Sequence, residues 1–381
     1  MNETPLHDRI RRELDERKSL NLFRTVGKSG DGAGIDLSTN SYLALHDNAE
    51  ILAEAERLAN HCYCGNLASR LIETRSPLYP VLEAELAEWK KTESALVFNS
   101  GYAANLGIIQ ALCARNTQVF CDRLSHASII DGILLSGASL SRYAHCDMAD
   151  LERRISASSK GERLIVTDSV FSMNGDVAPL ADICAIAQRF KCAVMVDEAH
   201  ATGVFGESCA GYVEECGLEK DVDVVMGTLS KSVAGLGGFF AGSSMLKDCL
   251  VNKARSLIYS TALPQSVLAH NIASVRYIRR HPGLGKALLA KAQSFRAEIA
   301  SLGCDTLNSS TQIVPSIVKS DTDAVDLSAY LLLRGIKAPA IRPPTVPAGT
   351  ARIRFSIHLG CTHDDIAFVA SCLNDWKKSH G

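Results

Sequence analysis

The sequence predicts an α/β protein, with a mostly parallel sheet covered by helices on both faces and a smaller α+β domain at the C-terminal end. Three observations carry this. Between about Ile51 and Leu263, helical stretches alternate with the short apolar runs Ala95 to Phe98, Gln118 to Cys121, Leu164 to Thr167, Ala193 to Val196, Val222 to Met226 and Phe239 to Gly242. Runs that are apolar throughout, instead of alternating with polar residues, belong to strands buried between helical layers. Farther on come a long helix expected over Gln265 to Arg279, the turn His281-Pro282-Gly283 and a helix to Leu302, after which Ile313 to Val318 and Ala351 to Ile357 read as strands of a second sheet. Finally, 381 residues with 46% hydrophobic side chains suffice for a sizeable core and more than one domain.

The chain therefore reads as residues 1–48, an N-terminal helix and small-domain segment; residues 49–270, the large domain; and residues 271–381, the small C-terminal domain. In the first segment Leu6, Ile10, Leu14 and Leu20 recur among charges between residues 6 and 23, the pattern of an amphipathic helix lying on a larger body. With 40 basic and 42 acidic side chains the formal charge is -2, so no field of one sign points to nucleic acid or an anionic membrane. Residues 1–18 contain no apolar leader, and no run approaches the roughly 20 apolar residues of a spanning helix. A cytoplasmic protein is expected. The 13 Cys lie in apolar stretches without a CxxC pair, which suits small buried hydrophobes and leaves no metal site or disulfide expected.

In sheets of this kind ligands bind beyond the carboxyl ends of the strands. Ser100, His126, Asp168, Asp197 and Lys231 all fall just past apolar runs. The segment Val194-Met195-Val196-Asp197-Glu198-Ala199-His200 is followed, 34 positions after its Asp, by Lys231 in Thr228-Leu229-Ser230-Lys231. A Lys so placed forms a Schiff base with an aldehyde cofactor, and an Asp on a nearby strand keeps a pyridine nitrogen protonated, so the pair points to pyridoxal 5'-phosphate. Ser100-Gly101-Tyr102 opens a helix after a strand, where backbone N–H groups and the helix dipole suit a phosphate. His126 can lie flat on a planar ring, Ser172 and His200 can reach a phenolic oxygen, and Arg342 and Arg354 offer guanidinium forks to a carboxylate. Taken singly, each has an ordinary explanation as a loop lysine, a capping residue or a solvating arginine. Their joint occurrence carries the reading.

The order of the motifs resembles the α-oxoamine synthases, fold-type-I pyridoxal phosphate enzymes, over nearly the whole chain. The motifs are Leu37-Ser38-Thr39-Asn40-Ser41-Tyr42-Leu43, Asn99-Ser100-Gly101-Tyr102-Ala103-Ala104-Asn105, Asp122-Arg123-Leu124-Ser125-His126-Ala127-Ser128, Val170 to Asp176, Val196 to His200, Thr228 to Lys231 and Ile258-Tyr259-Ser260-Thr261. The resemblance implies a large domain with a seven-stranded, mostly parallel sheet between helices, and a homodimer with shared active sites. It also implies roles: Lys231 for the Schiff base, Asp197 for the pyridine nitrogen, His126 for stacking, and Ser172 and His200 for the phenolic oxygen. Ser100, Gly101, Tyr102 and Thr228 would hold the phosphate with Thr261 of the second subunit, while Arg354, Asn40 and Arg24 would face the substrate.

The segment from Ala340 to Arg354, with Ile341-Arg342-Pro343-Pro344-Thr345-Val346-Pro347, is similar to that of the biotin-pathway member of the family, which condenses L-alanine with a pimeloyl thioester. Whether coenzyme A or a transient acyl carrier protein delivers the acyl group stays open; Arg9, Arg11 and Arg12 read as a solvated helix face. The competing expectations are a sister enzyme using glycine or serine with another acyl-CoA, and a fold-type-I aminotransferase. Lys231 speaks against a catalytically inactive partner subunit. One segment departs from the family pattern: Cys64-Gly65-Asn66-Leu67-Ala68-Ser69-Arg70-Leu71-Ile72-Glu73-Thr74 carries Thr74 where Gly is common, which bears on the acyl group.

Overall fold

The structure, a computed structural model, describes residues 4–20, 22–23, 34–60, 65–72, 76–159 and 161–380. The chain divides into two compact units, the larger comprising Asn40–Lys291 with His358–Gly360, the smaller Met1–Thr39, Ala292–Ile357 and Cys361–Gly381. The described strands are β1 (Ile35–Asp36), β2 (Ser94–Phe98), β3 (Gln118–Asp122), β4 (Ser139–Tyr143), β5 (Arg163–Asp168), β6 (Ala193–Asp197), β7 (Val224–Thr228), β8 (Gly238–Gly242), β9 (Ile313–Lys319), β10 (Ile336–Lys337), β11 (Ala340–Ile341) and β12 (Ala351–Ser356).

The larger unit is built on a seven-stranded sheet in the order β2-β8-β7-β6-β5-β3-β4. Only β8 is reversed: it pairs antiparallel with β2 and β7, while the remaining pairs are parallel. The other six strands therefore end along one edge, at Phe98, Asp122, Tyr143, Asp168, Asp197 and Thr228, where β8 begins at Gly238. The apolar runs lie where the sequence places them because residues such as Leu96, Val119, Val166, Met195 and Phe240 pack into one buried cluster with Ile108, Ile109, Ile129 and Ile133 from two helices. β4, Ser-Leu-Ser-Arg-Tyr, escapes the sequence reading. It is one of the sheet's two edge strands and only Tyr143 in it is buried, so no continuous apolar run marks it. The helix before it ends on Gly137 at φ 74, the left-handed position that favours glycine.

In the smaller unit β11, β12 and β9 form an antiparallel sheet, and β1 pairs in parallel with β10. Phe295 and Phe355 meet edge to face at 5.3 Å in its core. The N-terminal helix, α1 (Pro5–Ser19), starts on a Thr4 cap with Pro at its first turn. It forms as expected, but it does not lie on a larger body in this chain: Leu6, Ile10 and Leu14 are 54%, 40% and 41% exposed, and the helix has no buried residue. The i,i+4 spacing aligns these three on one face, yet the rest of the helix is charged and satisfied locally by pairs such as Arg9–Glu13. Among the described residues no helix is long and apolar enough to cross a membrane. The described cysteines are free, and burial pushes the Cys113 and Cys121 thiols up to about 12.

Candidate active site

Asp197, the last residue of β6, is buried, with Oδ1 accepting the Ala199 N–H at 2.8 Å. Its Oδ2 accepts from Asn105 Nδ2 at 2.8 Å, on the helix α2 (Gly101–Leu112 in the larger unit). Among the described residues no cationic side chain lies within ion-pair distance of this carboxylate. Burying such a charge without a counterion is costly, so a cationic group placed beside this carboxylate would be stabilised by it. The neighbouring strand end carries Asp168, in register with Asp197. Burial and the nearby Asp197 charge push its carboxyl well above the usual range, so the two acids do not both need to ionise.

Ser100 caps α2 by accepting the Ala103 N–H at 3.0 Å, which leaves the N–H groups of Gly101 and Tyr102 ahead of the helical ladder. Two strand ends converge on this turn. A Cβ on Gly238 would sit 2.6 Å from the Gly101 Cα and the Ser100 carbonyl oxygen, and one on Gly101 would meet Thr228 Cβ and Oγ1 at 3.4 Å. Close backbone approach beside unpaired N–H groups makes an anion cradle. Thr228 Oγ1 donates to the Gly237 carbonyl at 2.9 Å.

Lys231 follows β7 by three residues, and its Nζ is 2.8 Å from His200 Nε2. His200 Nδ1 is 2.7 Å from the Tyr42 hydroxyl, which donates to Asn40 Oδ1 at 3.1 Å. Because the phenol spends its one hydrogen on Asn40, Nδ1 donates to the phenol and Nε2 turns a lone pair toward the lysine. His126 precedes the helix α3 (Ala127–Ser136), its N–H donating to Asp168 Oδ2 at 3.2 Å. Burial holds its imidazole below the ordinary range, against the pull of Asp197. Tyr102 stands edge-on to it with ring centroids 6.4 Å apart and donates its hydroxyl to the Asp131 carboxylate.

Ser172 sits on a tight loop after β5, closed by Phe171 N–H to the Asp176 carbonyl at 3.0 Å. That loop is tied to the end of β3 by His145, whose Nδ1 is 2.9 Å from Asp122 Oδ1 and whose Nε2 is 2.7 Å from Asp176 Oδ2. Burial opposes the charge on this imidazole, but the two carboxylates prevail and raise its pKa to about 12. Asp122, His145 and Cys146 bring ligand-type atoms within 4.8 Å of one another. Cys146 Sγ, however, is 3.7 and 3.8 Å from the two ring nitrogens and so in line with neither lone pair. The cluster is an ion pair across two loops.

Behind Asp197, Glu198 is buried with Oε2 2.6 Å from Lys90 Nζ and Oε1 accepting the Val213 N–H at 2.7 Å. Lys90 donates further to Thr202 Oγ1 at 2.8 Å and to the Ala210 carbonyl, and burial lowers its pKa against the pull of Glu198.

Of the residues singled out in the sequence, those of the larger unit line the strand-end edge, with Lys231, His200 and Asn40 joined in one hydrogen-bonded chain through Tyr42. Thr261 is exposed, its carbonyl accepting from Asn99 Nδ2 at 2.6 Å. Arg354 belongs to the smaller unit, buried on β12 with Nη1 donating to Ser356 Oγ at 2.6 Å. Arg24 lies outside the described residues, as do Cys64, Glu73 and Thr74 of the divergent segment; Arg70 of that segment pairs with Glu83 at 2.5 Å. Sequence reasoning assigned no role to Tyr42, Asn105, Ser128, His145, Lys90 or Glu198. For Tyr42, Asn105, Ser128 and Glu198, the motifs that contain them were the available signal.

An amine facing a histidine lone pair, a carboxylate buried without a cation among the described residues and an anion cradle at a glycine-lined helix start fit an aldehyde cofactor that carries a basic ring nitrogen and a phosphate. Residues 33–373 match the family described as aminotransferase class I and II. The 8-amino-7-oxononanoate synthase of Citrifermentans bemidjiense is 44% identical over 358 residues, spanning 91% of this chain and 92% of that protein. Two solved structures are similar across the whole fold. A high-resolution structure of SPT with PLP internal aldimine has a TM-score of 0.90 and 27% identity, covering 100% of this chain and 99% of that one. The crystal structure of 8-amino-7-oxononanoate synthase from Francisella tularensis has a TM-score of 0.79 and 25% identity, with coverage of 91% and 98%.

Proposed function

This chain belongs to the aminotransferase class I and II family and, within it, to the α-oxoamine synthases, and from that premise we propose that it condenses L-alanine with a pimeloyl thioester. The products are 8-amino-7-oxononanoate, carbon dioxide and the free thiol, as in biotin synthesis. Pyridoxal 5'-phosphate supplies an electron sink when bound. One observation carries the reading: an amine and a carboxylate buried without a cationic partner among the described residues share one sheet edge, in a chain 44% identical to an 8-amino-7-oxononanoate synthase.

Lys231 would anchor the aldehyde carbon and, once released, take the α-proton of alanine; for that step its amine must be uncharged. The His200 lone pair, oriented through Tyr42, holds Nζ in place for it. Asp197 would keep the ring nitrogen protonated, and a preorganised charge of that kind is commonly worth several kcal/mol of barrier. His126 would cover the ring as a neutral imidazole. Ser100, Gly101, Tyr102 and Thr228 would hold the phosphate, joined by Thr261 from the second subunit of a homodimer, while Ser172 and His200 would bond the phenolic oxygen. Arg354 would grip the amino-acid carboxylate until it leaves as carbon dioxide, with Asn40 and Arg24 on the substrate side. The enzyme works in the cytoplasm under this reading, on a donor carried by coenzyme A or by acyl carrier protein.

The test offers L-alanine, glycine and L-serine to the purified holoenzyme, each with pimeloyl-CoA and with the pimeloyl carrier protein, and follows thiol release, carbon dioxide and product mass. Alanine is expected to give 8-amino-7-oxononanoate with one carbon dioxide per thiol. Preference for glycine or serine, or amino transfer to a keto acid without carbon dioxide, would overturn the assignment.

A further inference from the structure

Asp197 and His126 stand on different loops, yet one side chain touches the hydrogen-bond networks of both. Asn105, on α2, is only 1% exposed. Its Nδ2 donates to Asp197 Oδ2 at 2.8 Å and to Ser128 Oγ at 2.9 Å, and Ser128 Oγ is 2.7 Å from His126 Nδ1. A carboxylate only accepts, so the NH2 end of the amide must face Asp197, and both amide hydrogens are then committed. Since Ser128 Oγ accepts one of them, its own hydrogen points at His126 Nδ1, which also receives the Ser128 N–H at 3.3 Å. Nδ1 is thereby the unprotonated nitrogen, and the ring hydrogen belongs on Nε2.

The arrangement has a cost that a space-filling residue would avoid. Asn105 Oδ1 is buried with no partner among the described residues, a desolvation penalty that a leucine of similar volume would not incur. The two donated bonds are what the amide contributes.

We propose that Asn105 is a positioning residue for the cofactor site, aiming the Asp197 carboxylate directly and setting the tautomer and plane of the His126 ring through Ser128. The proposal rests on the reading that this pocket holds pyridoxal phosphate, not on which amino acid or acyl group is used. A positively charged ring needs a neutral face above it and a carboxylate beside its nitrogen, and a single amide here orders both.

Asn105→Asp keeps the shape but replaces the donor with an acceptor facing Asp197; Ser128→Ala cuts only the arm to His126. Two readouts apply: absorbance titration of the apoprotein with pyridoxal phosphate, and the ¹⁵N-histidine NMR signals of His126 in the apoprotein. Near pH 8, Asn105→Asp should bind the cofactor about tenfold more weakly or worse, and His126 should change from one tautomer to a mixture. Because the ionisable side chains of Asp131, Asp168, Asp197 and Lys231 also face this pocket, each pH is referred to the wild type. Against that reference the Asn105→Asp defect should shrink as pH falls, since a protonated Asp at position 105 donates again. Ser128→Ala should scramble the His126 tautomer with a smaller loss of affinity, and it carries the test if Asn105→Asp does not fold. The relay is overturned if Asn105→Asp binds the cofactor within about twofold of wild type at every pH, or if Ser128→Ala leaves the tautomer unchanged. Wild-type protein that takes up no pyridoxal phosphate would instead sink the functional reading.

Discussion

Replacing Lys90 by Met removes a buried ammonium while keeping most of its volume. Its side chain is 3% exposed and that of Glu198 is 1% exposed, and the ammonium also satisfies Thr202 Oγ1 and the Ala210 carbonyl. The variant would leave the Glu198 carboxylate buried with the Val213 N–H as its remaining bond. Breaking a buried pair from one side costs about 3–5 kcal/mol, most of it from the stranded charge. At roughly 2–4 °C per kcal/mol for a unit of this size, the midpoint of thermal unfolding should fall by about 6–20 °C. The assay is thermal unfolding at one fixed scan rate for Lys90→Met, Glu198→Gln and the double variant. With no charge left buried, the double variant should be more stable than the sum of the single losses predicts. A single-variant loss below about 1 kcal/mol, or strictly additive losses, would refute the reasoning.

Gly238→Ala places a Cβ against the Ser100 and Gly101 backbone, which cannot move aside as a side chain can; it should cost about 1–3 kcal/mol of stability and weaken pyridoxal phosphate binding, read by calorimetry and absorbance titration. A fully active, unperturbed Gly238→Ala enzyme would contradict the close approach. The His145 bridge carries a pH signature. Its folded pKa is raised to about 12, so its stabilisation is complete below the unfolded value near 6.5 and is lost as pH rises through that window. The stability difference between wild type and His145→Gln, measured by urea unfolding, should therefore narrow from pH 6 to pH 9. A difference that widens over this range would contradict the bridge.

The strands most legible in the sequence are those apolar on both faces, because burial between helices leaves no polar position to confuse the pattern. β4 lacks that mark because only Tyr143 in it is buried, and the α1 pattern gives its periodicity but not what covers it. The positions of Lys231, Asp197 and His126 at or just past strand ends are readable because the runs before them are. The groups that orient them are not. Asn105 meets an Asp 92 positions later, and Tyr42 meets a His 158 positions later; such contacts depend on how helices and loops pack, which spacing does not encode.

The reversed strand has a consequence for the lysine. A parallel partner for β7 would need a crossover of a dozen or more residues, whereas the antiparallel return at Gly238 closes the connection directly. Residue 231 thus rides on a leash pinned at both ends, with Thr228 hydrogen-bonded to Gly237 across its mouth. Under the proposed function, an amine that would have to let go in each turnover would stay close by, and its recapture would be a short intramolecular step at high effective molarity.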